Sequence, residues 1–446
     1  MRTLRISFFF LIAVAMSLGA LAQPSNYTFT KIADLNDYAG YFEPATLINR
    51  GEVLFAPAMQ SGGEGVLLWR RGSVTTVAAG GQLMPVPDGG VLGYTLSPIA
   101  MSDNGEAAFV MTRNGIDFVP SPTGFNAGVY RYNSRTGIVP VMVPGVKQEG
   151  GDGFWGSYFV SSINNSGELV FSGMFCTGFL GSVGTIGCPD GSSKYLAIGV
   201  YKADGKGVIT PVVLPGDPAP VWQGNTFDLV RRPVINARGD VAFTAHVSGE
   251  LCLNADILVC SDSLFVKRRP SGTVEEIARV GKLSPIPGKY YASAFGPILN
   301  AKGDVAFVAD VSANADGSDV AVFLYTGGKT IVIAKRGDPM PGGGTFMTGG
   351  YYGQDSCLNN QGDVVFDATL SDGTNAIYVW RKGIVSLVAK TGTDTGAGVI
   401  STLDDFGGSV ANTQVSINDS GQILFAAKFK AGGGAMLVAT PKTPWM

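Results

Sequence analysis

The chain has 446 residues, 45% of them hydrophobic and 15% charged, with 63 glycines and a single histidine. That apolar content excludes a disordered chain, and much glycine with little charge fits many short strands joined by tight turns. The 32 Lys and Arg against 35 Asp and Glu leave a net charge of −3 without a basic run, which excludes a strong nucleic-acid binder.

Residues 1–22 read as a signal peptide. Arg2 and Arg5 precede the apolar run Phe8 to Met16, and Ala20-Leu21-Ala22 gives the small-x-small pattern of a cleavage site. The mature chain then begins at Gln23, with no Cys at the cut for a lipid anchor. No later stretch reaches the ~18 uninterrupted apolar residues of a membrane span. The expectation is an exported protein, secreted or periplasmic, without a membrane span.

Next comes one isolated strand, Tyr27 to Ala33, and then a repeat. Ile163-Asn164-Asn165-Ser166-Gly167-Glu168-Leu169-Val170-Phe171 recurs from Ile235 to Phe243, Leu299 to Phe307, Leu358 to Phe366 and Ile417 to Phe425. Looser copies are Met101-Ser102-Asp103-Asn104-Gly105 ending at Phe109, and Ile48-Asn49-Arg50-Gly51 ending at Phe55, the latter aligned with its Asn one residue short. Seven copies separate glycines 51 and 421 by six steps, a mean period of about 62. The Asn side chain bonds the backbone two residues on, and the Gly takes the left-handed conformation a Cβ opposes. Together they specify a tight hairpin with a Gly bulge.

A second hairpin recurs at Trp69-Arg70-Arg71-Gly72-Ser73, Tyr325-Thr326-Gly327-Gly328 and Trp380-Arg381-Lys382-Gly383. Each unit therefore holds four strands, b, c, d and a in chain order. Seven such units predict an all-β, seven-bladed β-propeller with four antiparallel strands per blade. The last unit lacks an a strand and the N terminus has one to spare, so the N-terminal strand completes the last blade and removes the exposed edges. The domain runs from 27 to 440, with 441–446 as a short tail.

With these seven motifs in phase, the chain resembles a family of exported bacterial tandem-repeat proteins that carry N-x-x-G-x-x-x-F. The resemblance covers residues 27 to 440 and implies a propeller-like fold; it implies no activity.

Both hairpin types must share one rim of the disc, so the long loops share the other. The longest c-to-d loops are Arg113 to Ala127, Met174 to Tyr195 and Ser248 to Ser261. Two of them carry Cys176 with Cys188 and Cys252 with Cys260, each pair read as a local disulfide in an oxidising compartment, while Cys357 remains as a buried small hydrophobe. The a-to-b connectors bring aromatics to the same side: Phe154, Trp155 and Tyr158; Trp222 and Phe227; Tyr290 and Tyr291; Tyr351 and Tyr352. Trp155, Tyr158, Trp222, Tyr290, Tyr291, Tyr351 and Tyr352 are candidate ligand contacts, since rings beside a polar mouth suit sugar faces or peptide side chains; the plainer role for each is to plug gaps between blades.

Catalytic signals are weak. His246, the single candidate base, lies at the end of a c strand among Thr244, Ala245 and Val247, where packing is the simpler role, and one His excludes multi-His metal sites. Gly216-Asp217-Pro218 and Gly337-Asp338-Pro339 read as turns. Asn314-Ala315-Asp316-Gly317-Ser318-Asp319 fails the calcium-loop pattern, and only Ser102 to Gly105 approaches a sialidase Asp box. The expected function is a monomeric binding or scaffold module that recognises a glycan or protein on its long-loop face, without cofactor or metal. The alternative is a polysaccharide hydrolase or lyase using an Asp/Glu pair at the channel mouth.

Overall fold

In a computed structural model, the residues described are 26–38, 42–60, 64–84, 90–114, 127–143, 156–177, 195–221, 224–249, 262–313, 319–350, 357–403 and 415–443. They form seven antiparallel sheets arranged as a propeller. Blade 1 comprises β2 (Phe42–Leu47), β3 (Val53–Pro57), β4 (Gly65–Arg70) and β5 (Ser73–Ala79). Blade 2 comprises β6 (Val91–Met101), β7 (Ala107–Asn114), β8 (Ala127–Asn133) and β9 (Gly137–Met142). Blade 3 has β10 (Gly156–Ile163), β11 (Leu169–Thr177), β12 (Tyr195–Ala203) and β13 (Ile209–Val213). Blade 4 has β14 (Phe227–Ile235), β15 (Val241–Val247), β16 (Ser263–Lys267) and β17 (Val274–Ala278). In blade 5 the strands are β18 (Tyr290–Leu299), β19 (Val305–Ser312), β20 (Asp319–Thr326) and β21 (Lys329–Lys335). In blade 6 they are β22 (Phe346–Gly350), β23 (Val364–Leu370), β24 (Asn375–Arg381) and β25 (Ile384–Lys390).

Blade 7 is assembled from both ends of the chain. It contains β26 (Ile400–Thr402), β27 (Ser416–Ile417), β28 (Ile423–Phe429) and β29 (Gly434–Pro441), and β1 (Tyr27–Asp34) adds its outermost strand. β1 pairs antiparallel with β29 from Tyr27↔Pro441 to Asp34↔Ala435, and the Phe29 ring meets Phe425 edge-on at 6.1 Å. The ring closes as the sequence pattern predicts. The register supplies β29 with hydrogen-bond partners it would otherwise expose as an edge.

The Phe that ends each repeat explains why blades hold their register. On the second strand it faces an aromatic of the third in five blades: Phe109–Tyr130, Phe171–Tyr201, Phe243–Phe265, Phe307–Phe323 and Phe366–Tyr378. These rings stack with centroids 5.1–5.9 Å apart and interplanar angles of 16–29°. Directly opposed aromatic pairs contribute about 0.5–1.5 kcal/mol beyond the area they bury. A one-residue slip would turn each ring to the opposite face.

In blades 1, 5 and 6 the d-to-a hairpins are of the two-residue kind whose twist matches the strands. Arg71 and Gly72 lie at φ 50° and 84°, and Lys382 and Gly383 at 48° and 89°. Such a turn needs positive φ at both central residues. No helix among the described residues is long and apolar enough to cross a membrane.

Candidate binding sites at the two rims

At the end of each innermost strand the repeat turn projects toward the central channel. In blade 3, Asn164 N–H donates to the Glu168 carbonyl at 2.9 Å and Gly167 N–H to the Asn164 carbonyl at 3.0 Å, with Gly167 at φ 75°. The Asn164 Oδ1 accepts from the N–H groups of Ser166 and Glu168, and its Nδ2 donates to Glu168 Oε2, all at 3.0 Å. That Nδ2 also donates at 3.0 Å to the carbonyl of Asn236 in the next blade. A buried carboxamide thus uses its whole donor and acceptor capacity, which is why Asn and not Asp or Gln occupies this seat.

Four more blades repeat the arrangement. The Nδ2 atoms of Asn236, Asn300, Asn359 and Asn418 reach the carbonyls of Asn300, Asn359, Asn418 and Ile48 at 3.0, 3.1, 3.3 and 3.3 Å. An inner belt of hydrogen bonds therefore runs from blade 3 through blades 4 to 7 to blade 1.

In blades 1 and 2 the seat belongs to Ile48 and Ser102. Ile48 N–H donates to the Glu52 carbonyl and Gly51 N–H to the Ile48 carbonyl, so Ile48, not Asn49, matches Asn164. The alignment that leaves blade 1 one residue short is corrected: no residue is missing, and Asn49 occupies the second turn position.

That second position makes an outer belt. Backbone N–H groups of Ala301, Asn360, Asp419, Asn49 and Asp103 donate to side-chain oxygens of Asn360, Asp419, Asn49, Asp103 and Asn165 in the following blade, at 2.7–2.9 Å. The Asn49 Nδ2 bridges Asp419 Oδ2 at 2.9 Å and Asp103 Oδ2 at 3.0 Å. The outer belt runs from blade 5 through 6, 7, 1 and 2 to blade 3, and so covers the stretch the inner belt leaves. Beneath both belts lies an apolar ring that includes Leu47, Met101, Ile163, Ile235, Leu299 and Ile417. Collar and ring line a cavity of about 160 Å³ that is open to solvent.

In four blades the residue after the turn Gly faces a cation from the d-to-a hairpin. Glu52 pairs with Arg70 at 2.8 Å, Glu168 with Lys202 at 3.0 Å, Asp240 with Arg268 at 3.7 Å and Asp363 with Arg381 at 3.5 Å. Both hairpin types therefore share one rim. Burial pushes the Asp240 carboxyl up, but Arg269 N–H, Asn236 and Arg238 more than offset this and hold it below the usual carboxylate value. At the equivalent Asp363, burial outweighs the help of Asn359 and Arg381, and the carboxyl is raised.

The opposite rim carries the a-to-b connectors. Asp217 Oδ2 accepts from Leu214 N–H at 2.9 Å and Asp338 Oδ2 from Lys335 N–H at 3.0 Å, so both Gly-Asp-Pro segments are capped turns. Tyr290 is 44% exposed there, and Leu83 and Leu283 are 74% and 65% exposed. Tyr291 does not join them: it is buried, its ring meeting Phe323 at 5.6 Å, because the strand alternation of β18 turns it into the core. Phe227 is likewise core, packed edge-on against Phe243 and Phe265.

Trp155, Trp222, Tyr351, Tyr352, Cys188, Cys252 and Cys260 lie outside the described residues, as do the side chains of Tyr158 and Cys176. Residues 314–318 of the oxygen-rich segment lie outside them too. Cys357 is buried and donates to the Val415 carbonyl at 2.9 Å. His246 is fully buried, with Nδ1 3.2 Å from Asp228 Oδ2. Among the described residues no three His, Cys, Asp or Glu side chains are grouped to hold a metal ion.

Sequence reasoning took the repeat turns as architecture and missed the collar. The signal was the second turn position, which reads Asn49, Asp103, Asn165, Ala237, Ala301, Asn360 and Asp419 when the copies are aligned on the Gly.

The fold and its collar define an all-β, seven-bladed propeller. The chain belongs to a family of unknown function, DUF7453, whose model matches residues 13–438. A search of the curated proteins finds no match. Among solved structures, the β-propeller domain of the Trilobed protease from Pyrococcus furiosus is similar at 8% identity, covering 91% of this chain and 96% of that one, with a TM-score of 0.44. A gluconolactonase from Xanthomonas campestris is similar at 10% identity, over 93% and 89% of the two chains, with a TM-score of 0.35. The Aleuria aurantia lectin is similar at 10% identity, over 94% and 96%, with a TM-score of 0.34.

Proposed function

We propose that the protein is an exported, monomeric binding module that recognises a glycan or a protein on its long-loop face. The observation that carries this reading is the exposure of Tyr290, Leu83 and Leu283 on the rim of the a-to-b connectors. Large apolar groups held in water by a rigid scaffold favour a partner that covers them. The N-terminal pattern of Arg2, Arg5, Phe8 to Met16 and Ala20-Leu21-Ala22 supports export, and the Cys176–Cys188 and Cys252–Cys260 pairings belong to the same reading. Trp155, Tyr158, Trp222, Tyr351 and Tyr352 belong to the same reading as candidate contacts. A glycan array and a pull-down with the mature chain test it, with Trp155→Ala, Trp222→Ala and Tyr290→Ala alongside. Binding that falls at least about tenfold in one or more variants is expected, since buried aromatic contacts are worth ~2 kcal/mol or more; binding unchanged in all three removes the reading.

A second reading, a polysaccharide hydrolase or lyase, draws on one group. The carboxyl of Asp310, on the long-loop half of β19, has no hydrogen-bond partner among the described residues, and burial pushes it up, as a general acid requires. Sugar products released by the wild-type protein and lost in Asp310→Asn would transfer the assignment to this reading.

A further inference from the structure

The turns and hairpins of the repeat rim divide their charges by depth. Among the described residues every acid there, from Glu52 and Asp103 to Asp363 and Asp419, is buried or half-buried. Asp103, Asp240, Asp363 and Asp419 accept from turn N–H groups or asparagine side chains, and Glu52 and Glu168 pair with Arg70 and Lys202. The exposed charges of this rim are all cations. Arg50, Arg70, Arg238 and Arg269 reach down to the acids, and Lys206 stands beside Asp204. Arg71, Arg135, Lys302, Lys329, Lys382 and Lys442 have no ion-pair partner among the described residues. These six form a continuous arc from blade 5 through blades 6, 7 and 1 to blade 2. No two of them are neighbours in sequence, so the fold assembles a basic surface from a chain without a basic run.

Four of the hairpins add an exposed apolar side chain two to four residues after the cation. Val74 is 42% exposed beside Arg71, Val139 43% beside Arg135, Ile331 38% beside Lys329 and Ile384 66% beside Lys382. A soluble polyanion would engage the cations and leave these branched side chains in water. A surface that is anionic at its face and apolar beneath it engages both kinds of group. The opposite rim lacks the segregation, since Asp37, Asp372 and Asp394 are exposed there among its cations.

We propose that the repeat rim docks on an anionic phospholipid surface, with Arg71, Arg135, Lys329 and Lys382 among the headgroups and Val74, Val139, Ile331 and Ile384 at the boundary beneath them. Each contact is weak alone, and the rigid disc makes them act together. In this pose the long-loop face points away from the bilayer and stays open to a ligand. The inference goes beyond the long-loop reading and stands independently of it, because the two surfaces lie on opposite rims.

Sedimentation of the mature protein with vesicles of equal parts phosphatidylglycerol and phosphatidylcholine tests it, with pure phosphatidylcholine vesicles and soluble polyphosphate as comparisons. The anionic vesicles are expected to bind at least about tenfold more tightly than the neutral ones, and binding should weaken at least about tenfold between ~50 and ~500 mM salt as the charges are screened. A triple variant, Arg71→Asn, Lys329→Thr and Lys382→Asn, should bind at least about twentyfold more weakly, each cation at such a surface being worth about fivefold. Asparagine tolerates the positive φ that Arg71 and Lys382 hold, so the hairpins persist. Removing three cations of the other rim, by Arg336→Ala, Lys390→Ala and Lys430→Ala, changes the net charge equally and should weaken binding less than about twofold, since those charges stand beyond the screening length. Val74→Ser with Ile384→Ser should weaken vesicle binding at least about threefold and leave polyphosphate binding as it was. No preference for the anionic vesicles overturns the proposal. So does an equal loss in the two triple variants. Polyphosphate binding as tight as vesicle binding, with no effect of the two serines, overturns it too and assigns the rim to a soluble polyanion. Tyr290→Ala leaves these readouts untouched, so the two proposals fail separately.

Discussion

Blades 6 and 2 make the same turn from different chemistry. In blade 6 the work belongs to the first turn residue: Asn359 accepts from Gln361 and Asp363 N–H groups and donates to Asp363 Oδ2 and the Asn418 carbonyl. In blade 2 Ser102 offers only its Oγ, which accepts from Glu106 N–H at 3.3 Å, and the second residue, Asp103, ties the blade to both neighbours. The turn itself survives either way, since Gly105 and Gly362 lie at φ 84° and 91° and make the same backbone bonds. The conformation thus belongs to the glycine, and the seam between blades belongs to whichever side chain can cross it.

The largest effect should follow from removing the carboxamide where the inner belt depends on it. Asn359→Ala leaves the N–H groups of Gln361 and Asp363, the second of them buried, without an acceptor and removes the donor to Asp363 and to the Asn418 carbonyl. The expected cost is ~2–4 kcal/mol by urea denaturation, since orphaning buried partners costs more than one hydrogen bond returns. A loss below ~1 kcal/mol would show that the belt is incidental to stability.

The same comparison extends to charge. Asp240 and Asp363 occupy equivalent positions, yet the first is held below and the second pushed above the ordinary value of 3.8. A lowered native value means the ionised form is favoured by folding: Asp240 contributes stability above pH 3.8, lost as pH falls through its native value. For Asp363 the sign reverses, and folding is opposed by ionisation at neutral pH and relieved on acidification. Asp240→Asn should therefore destabilise at pH 7 by about 1 kcal/mol, the worth of charge assistance in its hydrogen bonds. Asp363→Asn should be neutral or stabilising at pH 7, and both differences should vanish in thermal melts below the native-state values. Shifts of one sign in both variants would contradict the arrangement of Arg238 and Arg269 around Asp240.

Much of this molecule was legible because its repeats demand special backbone. Gly167 and its six counterparts need positive φ, and Phe171 and its counterparts fill the core beside an aromatic of the next strand in five blades and a leucine in the other two, so both survive in every copy and can be counted. The closure by Tyr27 to Asp34 was legible for the same reason, as one strand too many and one too few. The collar was not, because a second turn residue such as Asp103 has no partner within its own blade; its meaning appears only when residue 103 is set beside 49 and 165. Ile48 misled for a related reason: Asn49 imitates the motif in sequence while the backbone places its neighbour in the seat. Tyr291 was misread because one residue of register separates it from the exposed Tyr290, and the connector aromatics set no register by themselves.

The smallest effect sharpens the comparison most. Ser102→Ala deletes a long hydrogen bond to a turn that Gly105 already holds, so about 0.5 kcal/mol or less should be lost. Asp103→Ala, one residue on, removes the acceptor for Asn49 N–H and Nδ2 and for Asn165 Nδ2. Its cost should be about 1–2 kcal/mol, limited because the residue is half-buried and water replaces part of what is lost. The order of these two variants is the reverse of what blade 6 predicts for its first turn residue. If Ser102→Ala instead proves the more damaging, the hydroxyl and not the neighbouring carboxylate secures blade 2, and the division of the collar into two overlapping belts fails at the blade where the outer one should carry the seam alone.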